Sequence, residues 1–157
     1  MAAEWKKKRA LKVRVDELLR KEANEERLEP NECLELADAN YYGLWTKEDK
    51  EKAYGLYTKA YRRSRTQAEN NEVFARSLAK VGAIELQNAD YDEGKTKRAL
   101  IFLAMACGAG SSYAAAKLEE YCYRPEHEDM KLAAVFTFLC ERQYPMTEEE
   151  EQEEEDN

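Results

Sequence analysis

Gly43–Ala68 runs GLWTKEDKEKAYGLYTKAYRRSRTQA. Its punctuation predicts the end of one helix, a turn, a second helix, and the turn into a third. Gly43 stands where a helix C-terminus needs a residue tolerant of positive φ. Thr46 is the expected N-cap, with Asp49 three residues on in a capping-box-like start. Ala53, Leu56, Tyr57 and Ala60 then come at i, i+3, i+4 and i+7, one apolar face of a helix. On that face Ala53 and Ala60 allow a neighbouring helix close, and Leu56 and Tyr57 fill the space between.

Composition agrees with helices. The chain has 157 residues, only 6 Gly and 3 Pro, and 37% charged residues, a balance that favours helix over sheet. That length is one domain's worth and buries an ordinary core. The formal charge of −8 resides in the last residues: Glu148–Glu151, Glu153–Glu155 and Asp156 account for all of it, and residues 1–147 are neutral in sum. At the other end Lys6, Lys7, Lys8, Arg9, Lys12 and Arg14 against Glu4 give a local +5. Leu11, Val15, Leu18, Leu19 and Glu22 share helical spacing, so residues 1–30 read as a basic, amphipathic helix that caps the helices C-terminal to it. Glu29-Pro30-Asn31 ends it and opens the next, because Pro is welcome only in a first turn. From Thr147 onward a like-charge run cannot form a core, and 144–157 reads as a disordered acidic tail.

The pattern in the opening stretch resembles the Sel-like repeat, a relative of the tetratricopeptide repeat, at Gly43, Asp49, Lys52, Ala53, Leu56, Tyr57, Lys59, Ala60 and Ala68. Ser64 stands where that family usually has Gly, and Asn40 where it has Tyr, with Tyr41 beside it. Leu36-Ala37 occupies the family's Leu-Gly step. The register returns at Arg98, Ala99, Phe102, Leu103, Ala106, Gly110 and Ala114, and in part at Asp129, Ala133 and Phe136. Ala53, Ala99 and Ala133 lie 46 and 34 residues apart, the second interval close to a tetratricopeptide-like period of about 34. The resemblance implies an all-α fold: a short right-handed α-solenoid, or superhelix, of about three helical hairpins (31–63, 68–107 and 112–143) behind an N-terminal capping helix.

Little in the sequence suggests catalysis. His127, the only histidine, lies in the turn Pro125–Asp129 with no nucleophile in context. Cys107–Ser112 carries glycines like a phosphate loop, but a helix precedes it and no Lys-Ser/Thr pair comes after it. The aspartates of Asn88–Gly94 lack the twelve-residue spacing of a calcium loop. Cys33, Cys107, Cys122 and Cys140 stand far apart with no C-x2-C pair, so free buried thiols in a reducing, cytoplasmic setting are expected, without metal or cofactor. Secreted members of the resembled family can carry a regular disulfide pair in each repeat, and that regularity is absent. No signal-peptide core or membrane-length apolar run occurs.

The expected working part is a surface. The resemblance implies that the first helix of each hairpin lines a concave side, where Leu34, Asp38, Tyr41, Tyr42, Arg76, Lys80, Ala83, Tyr113, Glu120, Tyr123 and Arg124 would face a partner protein, either a peptide or a small domain. Tyr and Arg are the types that dominate interface energetics. The expected role is a non-enzymatic interaction adaptor. The alternative is a small acidic chaperone, inhibitor or immunity-type protein whose tail steers and screens a basic partner. Nucleic acid is not the expected partner, since residues beyond the basic N-terminus are net negative. End-to-end stacking into a homodimer is the expected remedy if a terminal hairpin is poorly capped.

Overall fold

Six α-helices and no strand make up the described residues, 2–66 and 71–122, of a computed structural model. They are α1 (Ala2–Ala23), α2 (Pro30–Tyr42), α3 (Lys50–Ser64), α4 (Asn71–Gln87), α5 (Glu93–Gly108) and α6 (Ser112–Cys122). Each helix from α2 to α5 packs on the next, and α4 also touches α2 and α6. Helices α2, α4 and α6 therefore lie in a row, with α4 between the other two. No described helix is long and apolar enough to cross a membrane. The anticipated helix within 129–143, Cys140, His127 and the acidic run lie outside the described residues, as does Ala68.

Local chemistry sets each boundary. Pro30 opens α2, and the Glu29 N–H there donates to Glu32 Oε1 at 3.0 Å. The helix ends at Gly43, with φ +66°, where a side chain would be strained. The cap of α3 is Asp49 rather than Thr46: its carboxylate accepts the Lys52 N–H at 3.0 Å. The reason is the turn itself. Trp45 takes a positive φ, and the Asp49 N–H reaches back to the Asn40 carbonyl at 2.8 Å, so the chain is still reversing at Thr46. Asp92 caps α5 in the same way, accepting from the Lys95 N–H.

The small residues are buried as their spacing requires. Ala37, Ala53, Ala60, Ala79, Ala99, Ala106 and Ala114 are fully inaccessible, and Tyr57, Tyr61 and Phe102 fill the volume they leave. Leu36-Ala37 of α2 and Leu78-Ala79 of α4 are the same step on neighbouring helices, and all four residues are at zero exposure. The Tyr61 ring meets Phe74 and Phe102 at 6.4 and 6.1 Å between centroids, joining α3, α4 and α5. Gly82 marks a tight approach. A Cβ there would stand 3.0 Å from Leu103 Cγ and 3.1 Å from the Leu103 backbone nitrogen.

Helix α1 is held mainly by its C-terminal half. Val15 and Leu18 are buried, Lys21 donates to Glu32 Oε2 at 2.7 Å, and Arg14 Nε to Glu35 at 2.6 Å. The Lys21 hydrogen bond holds the Glu32 carboxyl below its ordinary range, which more than offsets the cost of its burial. Residues 2–13 are exposed, including Leu11 at the end of the apolar stripe, where the support of α2 has run out. The expectation of buried thiols holds for Cys33, whose thiol is pushed up by burial, and fails for Cys107, which is exposed in the last turn of α5.

Two glycine substitutions probe this packing in opposite directions. Gly82→Ala forces α4 away from α5 and is expected to cost about 1–3 kcal/mol in urea unfolding. Gly55→Ala, on an exposed helical site with nothing within 4 Å, is expected to gain up to about 1 kcal/mol. A Gly82→Ala chain as stable as the parent would refute the close α4–α5 contact.

Candidate functional site

Helices α2, α4 and α6 bring Tyr41, Tyr42, Lys80 and Tyr113 together. The Leu-Ala steps of α2 and α4 turn inward, so the next residues, Asp38 and Lys80, emerge on a common side. The Lys80 ammonium lies 4.8, 4.6 and 4.4 Å from the ring centroids of Tyr41, Tyr42 and Tyr113, and it donates to the Tyr42 hydroxyl. Each such contact contributes about 0.5–2 kcal/mol, more where water is excluded. Burial pulls the Lys80 amine down, but Tyr42, Tyr113 and Asp38 outweigh it, and its pKa rises above the ordinary value. The group is a permanent cation held among rings.

Around that centre the polar groups are ordered in pairs. The Tyr57 hydroxyl, on a ring with zero exposure, donates to Asp38 Oδ1 at 2.5 Å, and Arg76 approaches Asp38 Oδ2 at 3.5 Å. Burial first, then Asp38, drives the Tyr57 phenol far above its usual range. Tyr42 remains 53% exposed, which leaves much of its ring free for contact. Lys117 and Glu120 pair at 3.6 Å on the α6 side, and the Lys117 ammonium lies 5.6 Å from the Tyr113 ring.

Of the residues expected on a concave side, Asp38, Tyr41, Tyr42, Arg76, Lys80 and Tyr113 are thus brought together, and Glu120 borders them on α6. Leu34 is not among them. It is 4% exposed and belongs to the main core cluster, where an apolar side chain gains by leaving water. The corresponding position on α4 is Arg76, which is exposed. Tyr123 and Arg124 lie outside the described residues.

A second feature adjoins this face and was not anticipated. A cleft of about 870 Å³ opens between the C-terminal turns of α2 and α4 and the first turns of α3 and α5, with Tyr41 in its wall. Tyr54 of α3 donates to Glu85 Oε1 of α4 at 2.7 Å, and Arg98 Nε of α5 lies 3.6 Å from Glu85 Oε2. Arg98 Nε is buried and makes no hydrogen bond among the described residues. Tyr54 sits next to a buried alanine and Glu85 next to a buried isoleucine, so each reads in sequence as a solvent-facing residue. Their pairing is between helices and has no local signature.

Comparison with protein-family models, curated proteins and solved structures returns no match to this chain.

Burial raises the Glu85 carboxyl above its ordinary value of 4.5, despite Tyr54 and Arg98 pulling the other way. The folded chain therefore keeps this proton to higher pH than the unfolded one. Stability from this group is fullest below that ordinary value and falls as pH rises through the window above it. Glu85→Gln is expected to be at least as stable as the parent at neutral pH, with its advantage vanishing toward pH 4 or so in thermal melts. A deficit that grows with pH would show that the ionised Glu85 is a net asset.

Proposed function

We propose that this chain is a non-enzymatic interaction module that docks a segment of a partner protein on the face formed by α2, α4 and α6. The observation that carries the reading is the convergence of Tyr41, Tyr42 and Tyr113 on Lys80, from three helices separated in sequence, with Tyr42 half exposed above it. Rings of this kind combine large contact area with a polar tip and little rotamer entropy to lose. Lys80 supplies a fixed charge whose remaining N–H donors suit a partner's carboxylate or backbone carbonyl. In this reading the helices are Sel-like hairpins, α2–α3 and α4–α5, with α6 opening a third. Their first helices form the inner side of a short right-handed superhelix, and α1 is the cap. The repeating Leu-Ala step of α2 and α4 and the buried anchor alanines of α3 and α5 favour that arrangement.

Tyr42→Ala combined with Arg76→Ala tests it, because both side chains are exposed and neither fills the core. With an interacting protein isolated on the parent chain, affinity is expected to fall at least about thirtyfold, as for a hot-spot loss of roughly 2 kcal/mol or more. The melting temperature should move little. Trp5→Ala, on an exposed ring in the first turns of α1, outside the α2–α4–α6 face, is the control and should bind as the parent does. Unchanged affinity in the double variant would overturn the assignment of the face.

A further inference from the structure

The first three turns of α1 extend past the helix that supports it, and their chemistry is unusual for the molecule. Residues 2–13 are all exposed. Lys6, Lys7, Lys8, Arg9 and Lys12 are spread around the helix rather than along one stripe, since successive residues turn by about 100°. Lys6, Lys7 and Lys8 have no ion-pair partner among the described residues. Arg9 and Lys12 contact only rings there, those of Trp5 and Trp45 at 5.5 and 6.0 Å. Trp5 is itself 62% exposed. The cations of the α2–α4–α6 face differ: Lys80, Arg76 and Lys117 each already have a hydroxyl or carboxylate partner. Among the described residues, unneutralised positive charge is therefore densest on the projecting half of α1.

We infer that this half-helix is the docking site for the chain's own acidic segment, Glu148–Asp156. The charges are opposite in sign and comparable in scale, a local +4 over residues 2–13 (Lys6, Lys7, Lys8, Arg9 and Lys12 against Glu4) facing eight carboxylates. Reach suffices even with a third hairpin formed: residues 144–157 alone can span roughly 50 Å, whereas a domain of this size has a radius of gyration of about 15 Å. Covalent connection raises the effective concentration of the tail to about the millimolar range, ahead of any free polyanion of modest affinity. The contact is electrostatic, exposed and without a shape-specific pocket, so salt above the physiological range dissolves it, the Debye length falling from about 10 Å at 0.1 M to about 3 Å at 1 M. The functional consequence is screening. The tail occupies a surface that would otherwise collect nucleic acid or other polyanions, and it leaves the tyrosine face open.

Two measurements on the full chain test this, and neither depends on the proposed partner-binding face. Zero-length carbodiimide cross-linking of an equal mixture of light and heavy-isotope chains, at low salt, is expected to join Lys6, Lys7, Lys8 or Lys12 to Glu148–Glu155 within single chains, and to lose those links at about 1 M salt. Links chiefly to Lys50, Lys80 or Lys117, links between light and heavy chains, or no tail links at all would each overturn the inference. Separately, Trp45→Phe leaves Trp5 as the only tryptophan. Replacing the eight tail acids by Gln and Asn in that background should shift Trp5 emission and raise its quenching by acrylamide. Identical Trp5 signals with the charged and neutral tails would overturn it as well. The helices are untouched by the tail substitutions, so an unchanged circular-dichroism spectrum confirms that the comparison is between folded chains.

Discussion

Everything in this fold depends on helices being able to come close, and that depends on side chains that are barely there. Ala53, Ala60, Ala99 and Ala106 place only a methyl on the contact faces of α3 and α5, and Gly82 of α4 places nothing against Leu103. Where backbones approach so tightly, volume must be found elsewhere, and it is supplied by Tyr57, Tyr61 and Phe102 with full burial. Dispersion and area terms favour this division: a few large rings fill the gaps between many small contacts at close-packed density. The polar rim is a result of the rings, because two tyrosine hydroxyls reach the edge of the core and require acceptors there.

Those acceptors explain the character of the surface. Asp38 and Glu85 lie at the margin because Tyr57 and Tyr54 need them, and Arg76 and Arg98 lie beside them because a half-buried carboxylate needs a counter-charge. The tyrosine face is thus continuous with the interior. Lys80 is ordered by three rings, one of which, Tyr41, also meets Tyr57 edge-on at 6.2 Å between centroids. A surface tied to the core in this way loses little side-chain entropy when it is used, since its rotamers are already restricted by packing.

Local signals in the sequence carry over well and pairings between helices do not. Gly43 at a helix end, Pro30 at a helix start and the alanine spacing of α3 all state a backbone requirement within a few residues, and each is found in place. The start of α3 lies at Asp49 rather than Thr46 because Trp45 takes a left-handed conformation, which its residue type does not announce. Leu34 reads as outward because the position repeats with that of Arg76, but the leucine is buried in the core whereas the arginine is exposed. The grouping of Asp38, Tyr41, Tyr42, Arg76, Lys80 and Tyr113 was anticipated from the repeat resemblance, and Asp38 and Lys80 in particular follow the same Leu-Ala step on neighbouring helices. The cleft of Tyr54, Glu85 and Arg98 was not, since it joins three helices through side chains that look solvent-facing in each.

Helix α3 carries a consequence of its own. Tyr54 and Tyr57 lie three residues apart, yet one bonds forward to α4 and the other back to α2. The helix is thus keyed from both flanks, like a shaft with two pins. The rotation of the helix about its own axis is fixed by a hydrogen bond on each side as well as by packing, and α2 and α4 share α3 as a common anchor.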